Sequence, residues 1–231
     1  MPKFFVTSDI HSFYTKLIEA LNAAGFDENN ENHYLVVCGD CFDRGPESKE
    51  VLEYLQRLQR KILIKGNHEY MLVDCCKRGY AMSYDKPNGT LDTIVNIGDG
   101  DTIAERCKTT LDKVAPLLDT MVNYFETENY IFVHSWIPVW LKDWRKASQM
   151  SWYDAVWANP FEAIYHGLLP DKTIVFGHCS CSQAWADAEG RTRYGDDAKF
   201  DPYYGDGYIA IDALTYYSGQ KNVIVIDDEF I

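Results

Sequence analysis

Five short apolar runs in this chain each end on a residue that can bind a metal ion or move a proton. Phe4-Phe5-Val6 leads into Ser8-Asp9-Ile10-His11, and Tyr34-Leu35-Val36-Val37-Cys38 into Gly39-Asp40-Cys41-Phe42-Asp43-Arg44-Gly45. Lys61-Ile62-Leu63-Ile64 leads into Gly66-Asn67-His68-Glu69, Tyr130-Ile131-Phe132-Val133 into His134, and Thr173-Ile174-Val175-Phe176 into Gly177-His178. Apolar, β-branched runs of this length, closed by glycine or a polar residue, read as buried strands. In mixed α/β proteins, sites form outside the carboxyl ends of the strands. The chain is therefore confined to folds that gather several strand ends in one place.

The segments between these runs fit that class. Tyr14–Ala24 has apolar residues at helical spacing and Gly25 as a C-cap, and Glu47–Arg60 puts Val51, Leu52, Tyr54, Leu55 and Leu58 on one face. Strand–helix–strand–helix–strand through residue 65 predicts an α/β arrangement with parallel pairs. A third helix is expected to begin near His68. Residues 80–125 mix turn-rich stretches with a helical pattern over Thr102–Tyr124, and read as a helical, lid-like insertion in a single domain spanning residues 1–231. Further strands are expected at 129–134, 173–177, 208–212 and 222–227. Helix and loop are expected over 140–170, and loop over the Gly/Asp/Tyr-rich residues 186–207.

A net charge of −13 disfavours DNA or RNA as a partner, since phosphate backbones need a basic surface. It leaves room for a small phosphate substrate, because bound cations invert the sign of a local site. Seven scattered cysteines suggest reduced thiols, and the Cys38/Cys41 pair reads as core thiols because Cys38 lies in a buried strand. No apolar run has a signal-peptide or membrane-spanning pattern, so the expectation is a cytoplasmic protein without a membrane partner.

The strand ends carry the chemistry. Asp9 and His11 are two apart, which in extended chain turns both side chains the same way. Asp40 is a carboxylate at a buried strand end and needs a cation or donors around it. Asn67 is an oxygen donor beside His68, and four of the six histidines fall at these ends. Any one of these is more often structural, but together in one topological layer they are not. Carboxylate, imidazole and amide donors suit first-row divalent ions, and there are enough of them for two ions about 3.5–4 Å apart sharing one carboxylate. Arg44 suits a bidentate phosphate contact.

Ser8–His11 resembles a GDxHG motif, Gly39–Gly45 matches GDxxDRG, and Gly66–Glu69 matches GNHE. Val133-His134-Ser135 and Phe176-Gly177-His178 resemble two later histidine motifs. The set resembles the calcineurin-like metallophosphoesterases of the PPP serine/threonine phosphatase type, especially the bacterial and phage lambda phosphatase-like group. The resemblance implies a four-layer fold, a β-sandwich of two mixed sheets flanked by helices. It implies two divalent metal ions, manganese first with iron or zinc as alternatives. Asp9 and His11 would bind one, Asp40 both, and Asn67, His134 and His178 the other. His68, held by Asp43, would protonate the leaving group, and Arg44, with Asn67 and His68 beside it, would hold phosphate. A metal-bridging hydroxide would attack phosphorus directly. The expected activity is hydrolysis of phosphomonoesters, foremost phosphoserine or phosphothreonine in proteins or peptides, or a small phosphoester. The alternatives are a diadenosine tetraphosphate-type dinucleoside polyphosphate hydrolase and a catalytically silent binding module.

The chain departs from the family pattern at several points. Ser8 and Ser12 stand where glycines are usual. No arginine lies between the Trp157-Ala158-Asn159-Pro160 stretch and His178, where a second phosphate-binding arginine belongs, so Arg145 or His166 substitutes, or one arginine suffices. Cys179 and Cys181 follow His178 where Thr-Pro is usual, and read chiefly as packing thiols, with oxidation-sensitive thiols beside a metal site as the alternative. Trp136, Trp140, Trp144, Trp152 and Trp157 read chiefly as core and lid, with stacking on an adenine as the alternative.

Overall fold

The computed structural model describes residues 1–231 and contains two mixed sheets packed face to face. The first is ordered β3-β2-β1-β9, with β1 (Lys3–Thr7), β2 (His33–Cys38) and β3 (Lys61–Ile64) parallel and β9 (Ile224–Asp227) antiparallel to β1. The second is ordered β4-β5-β6-β8-β7. Here β5 (Tyr130–Phe132), β6 (Thr173–Phe176) and β8 (Tyr208–Ala210) are parallel, while β4 (Phe125–Glu126) and β7 (Tyr203–Gly205) run antiparallel to their neighbours.

Period-two alternation explains the layering. Phe4 and Val6 of β1, Val36 and Cys38 of β2, Phe132 of β5 and Val175 of β6 point between the sheets and form the central core. Their neighbours Phe5, Leu35 and Val37 point outward, under α1 (Tyr14–Ala24), α2 (Ser48–Arg57), α3 (Asn67–Arg78), α4 (Thr90–Ile97) and α5 (Ile103–Leu118). On the other side Ile131, Val133, Ile174 and Phe176 pack with Trp136, Trp144 and Trp152 beneath α6 (Gln149–Ala155), α7 (Pro160–Tyr165) and α8 (Cys181–Glu189). The result is helices, sheet, sheet, helices: the four-layer α/β sandwich expected from the motifs. A last short helix, α9 (Thr215–Ser218), lies between β8 and β9.

Three expectations need correcting. The metal-competent strand ends belong to two sheets, not one layer: β1, β2 and β3 in the first, β5 and β6 in the second. Residues 186–207 are not all loop, because α8 runs to Glu189 and Tyr203–Gly205 form an edge strand. The pattern over 102–124 ends earlier than drawn, at Leu118; Val122 then pairs as an isolated bridge with Ile64.

Candidate active site

The loops leaving β1, β2, β3, β5 and β6 converge at one rim of the sandwich. Of the eight non-glycine residues with positive φ, seven lie in three of these loops: Asp9 (49°), His11 (48°), Ser12 (58°), Asp40 (54°), Asp43 (73°), Arg44 (66°) and His178 (64°). Left-handed backbone is uncommon outside glycine and costs of order 1–3 kcal/mol per residue when it is strained. Such a concentration is a mark of a site whose geometry is over-determined by its surroundings. It also overturns the extended-chain reasoning for Asp9 and His11. They approach one another because the chain curls, with His11 Nε2 3.8 Å from Asp9 Oδ1. The glycines of the motifs are there for space. A Cβ at Gly66 would collide with the Asp40 carboxylate, and one at Gly177 with that of Asp9.

Asp40 lies at the centre. Its Oδ2 is 3.7 Å from His11 Nε2 and 3.9 Å from His68 Nε2, and its Oδ1 is 3.4 Å from His134 Nε2. Asn67 Oδ1, His134 Nε2 and His178 Nδ1 converge on the Oδ1 side at mutual distances of 2.8, 3.0 and 3.1 Å. Two groups of metal-competent side chains therefore share one carboxylate: His11, Asp40 and His68, and Asp40, His134 and His178.

The tautomers test whether this donor set suits a cation. His11 Nδ1 is 2.9 Å from the Phe42 carbonyl and His134 Nδ1 2.9 Å from the Cys38 carbonyl. Each must donate there, which leaves each neutral ring a bare lone pair at Nε2. His11 turns that lone pair toward two carboxylates, and His134 turns its own toward the Asn67 amide oxygen. Lone pairs facing acceptors are the arrangement a positive ion resolves, and backbone carbonyls orienting the far nitrogen are the usual support for such ligands. Burial holds both His11 and His178 below the ordinary imidazole range, His178 at about 3, so both rings are neutral. Burial likewise drives the Asp40 carboxyl well above its ordinary range; Asp9 and Glu69 add to this while His68 opposes it. The residues fit divalent cations.

At the edge stands a second device. His68 Nδ1 is 2.8 Å from Asp43 Oδ2, and Asp43 also accepts from the hydroxyls of Thr90 at 2.7 Å and Thr93 at 2.8 Å. Burial alone would lower the His68 pKa, but the charge of Asp40 and the hydrogen bond to Asp43 outweigh it, and the net shift is upward. Arg44 is exposed, with Nη2 3.3 Å from His68 Nε2 and its guanidinium 4.9 Å from the Tyr216 ring centroid. All nine sequence-predicted site residues are thus in one place.

The proposed stand-ins for a second arginine are not. Arg145 donates to Glu126 at 2.8 and 2.6 Å on the edge of the second sheet, and His166 is exposed beside Glu162 at the end of α7. Arg145 is held by a carboxylate, and His166 stands in solvent 4.0 Å from one. The tryptophans divide: Trp136, Trp144 and Trp152 are core, whereas Trp140 and Trp157 are exposed. Cys181 is buried and burial pushes both it and Cys179 upward, as packing thiols require.

Three supporting residues escaped sequence reasoning. Glu69, the last residue of GNHE, accepts from the backbone N–H groups of Asp40, Cys41 and Gly66 at 2.8–3.0 Å and locks two site loops together. Lys221 is half-buried and donates to the carbonyls of Ser8 at 2.8 Å and Asp9 at 2.6 Å; desolvation brings it down to about 8. Asp212, pushed up to about 7 by burial and by Asp9, stands just past β8. Asp212 repeats the pattern of an apolar run ending in an acid and was findable; a lone lysine in a polar turn was not.

Residues 2–197 match the family described as calcineurin-like phosphoesterase. The chain belongs to that family, whose members are metal-dependent phosphoester hydrolases. A symmetrical bis(5'-nucleosyl)-tetraphosphatase of Proteus mirabilis is 32% identical over 100 residues, 43% of this chain and 35% of that protein. The match thus spans about a third of that relative's length. A solved structure described as a putative diadenosine tetraphosphatase superposes with a TM-score of 0.57 at 18% identity, covering 98% of this chain and 95% of that one. A cold-active protein tyrosine phosphatase superposes with 0.58 at 16% identity, covering 98% and 74%. At such identities these two attest the fold. No helix is long and apolar enough to cross a membrane.

Proposed function

We propose that the chain is a two-cation hydrolase of dinucleoside polyphosphates, splitting a bis(5'-nucleosyl) tetraphosphate at its central anhydride. Water adds to one of the two inner phosphorus atoms, the P–O bond to its neighbour breaks, and two nucleoside diphosphates leave. The observation that carries the hydrolytic reading is the single Asp40 carboxylate shared by two donor groups, one of which includes His68, with Asp9 3.8 Å from His11, Asp43 behind His68 and Arg44 beside it. Asp9, His11 and Asp40 would hold one ion, and Asp40, Asn67, His134 and His178 the other. When bound, such a pair makes water acidic and neutralises charge on the phosphoryl oxygens. Manganese suits the mixed donors, with iron or zinc as alternatives.

The chain's own groups do the rest. Arg44 orients the phosphate through its planar donor fork, and Asn67 and His68 flank it. His68 Nε2 delivers a proton to the departing oxygen, while Asp43 fixes the far nitrogen and keeps the ring charged.

The choice of substrate rests on the Proteus mirabilis relative and on the single arginine at the site. The PPP-type motifs Gly39–Gly45 and Gly66–Glu69 favour a second reading, phosphoserine or phosphothreonine hydrolysis. A silent binding module would have no use for the His68–Asp43–Arg44 set. The test is turnover of the manganese-loaded protein on diadenosine tetraphosphate against a phosphothreonine peptide. A ratio well above one, with ADP as product, is expected; a ratio well below one returns the protein-phosphatase reading.

A further inference from the structure

Beside the site lies a groove of about 570 Å³ that the hydrolytic reading does not use. Its walls come from three parts of the chain: Tyr70 and Lys77 of α3, Tyr84 and Asn88 of the loop before α4, and Tyr153 with Trp157 at the end of α6. The volume is in the range of small-molecule sites, about 300–1,000 Å³. Tyr84, Tyr153 and Trp157 are 42%, 41% and 43% exposed, whereas the neighbouring Trp152 is 2% exposed and serves the core. What sets these three apart from other exposed rings of the chain is that they converge on one groove, since contiguous apolar surface and not a single exposed ring marks a binding site.

The groove is joined to the site at two points. Tyr70 follows His68 by two residues on the same helix, so it sits about 4–5 Å along the axis from Asn67. Asn88 precedes Gly89, whose Cα packs so tightly on the Arg44 backbone that a Cβ there would collide with it. The walls are also braced. Arg78 donates to Asp85 at 2.6 Å and to the Tyr84 hydroxyl at 3.1 Å, Asn88 donates its amide to the Tyr84 carbonyl at 2.8 Å, and the Tyr70 and Tyr153 rings meet edge to face at 5.1 Å.

We propose that this groove is the subsite for one nucleobase of the substrate, the base stacking on the exposed Trp157 and meeting Tyr153 edge-on, since those two rings stand 62° apart, while its ribose and phosphates run past Tyr70 to Arg44. This rests on the dinucleoside polyphosphate reading and gives it a specificity element. Stacking on an aromatic face suits every base, so the subsite selects for a base being present more than for its identity. The groove carries one cation, Lys77, and one carboxylate, Asp74, which pairs with Arg78, so the aromatic faces and not charge would hold the base.

The test is equilibrium binding of ADP to the manganese-loaded full chain, by calorimetry, for wild type, Tyr153→Ala and Trp157→Ala, with inorganic phosphate as the control ligand. Both side chains are exposed, so the fold should survive. The expected result is a loss of ADP affinity of about tenfold or more in each variant, with phosphate binding unchanged and Tyr153→Phe close to wild type. ADP binding that is undetectable in wild type, unchanged in the variants, or weakened in step with phosphate overturns the subsite. Turnover of diadenosine tetraphosphate by wild type is read separately. Its absence alongside the expected ADP pattern defeats the hydrolase reading and keeps the groove; turnover with no change in ADP binding does the reverse.

Discussion

Replacing Asp43 with Asn changes the charge at His68 and little else. The carboxylate takes His68 Nδ1 and the Thr90 hydroxyl on one oxygen and the Thr93 hydroxyl on the other. An amide oriented with its oxygen toward His68 and Thr90 keeps those two contacts, and the Thr93 hydroxyl can turn. What is lost is the difference between a charge-assisted and a neutral hydrogen bond, both partners being buried. That difference is about 1–2 kcal/mol. One pKa unit is about 1.36 kcal/mol, so His68 should titrate about one unit lower in the variant. The sign follows from the raised pKa of the wild-type ring: the proton is held until pH rises through that value, so rate is lost on the alkaline side. The stability that His68 contributes is likewise full below its unfolded pKa and lost as pH rises through the folded one. In Asp43→Asn the alkaline limb of kcat/KM should move down by about one unit, and turnover above the limb should fall about tenfold. The assay is a pH–rate profile with the imidazole resonances of His68 followed by NMR. A limb at the wild-type pH, with the same His68 titration, would refute the role of Asp43 as the group that keeps His68 protonated.

Further outcomes follow from the same geometry. His68→Asn should cost more on a phosphothreonine peptide than on diadenosine tetraphosphate, because an alkoxide leaving group needs a proton more than a phosphate does; parallel kcat ratios on the two substrates check this, and equal losses would deny His68 the acid role. Lys221→Met leaves the Ser8 and Asp9 carbonyls without their donor and should cost about 1–3 kcal/mol in a urea titration; a loss under about 0.5 kcal/mol would mean that Lys221 does not brace the loop. Arg145 and Lys172 hold the Glu126 carboxyl down at about 2. The resulting stability is present above the unfolded value near 4.5 and is lost as pH falls toward 2. Glu126→Gln should therefore flatten that part of the acid limb in thermal melts, and an unchanged limb would show the pair to be inert.

The parts of the fold that were legible in the chain are those set by local pattern. The Tyr14–Ala24 helix has its apolar spacing and its Gly25 cap in adjacent residues, and the structure gives it the same bounds. The strands that carry the site are uninterrupted apolar runs because each is covered on both faces. What escaped is set by distant partners. β4 has two residues and β7 three, too few to show alternation, and each exists through the strand it pairs with. α8 begins at Cys181 straight after the left-handed His178, so the apolar run of β6 masks its start. The nearness of the site residues was readable as a shared position at strand ends, but the left-handed curl that brings Asp9 to His11 was not, since neither residue is a glycine. Arg145 looked available because its carboxylate partner, Glu126, lies in one of the strands too short to foresee.

The shared carboxylate is the claim on which the hydrolytic account depends. Metal content of the purified protein after manganese loading and desalting, measured by plasma mass spectrometry for wild type and Asp40→Asn, tests it directly. Two ions per chain in wild type, with both sites weakened by the one substitution in a variant that keeps its far-UV spectrum, is the expected result. A single ion in wild type, or two ions retained in Asp40→Asn, would contradict it.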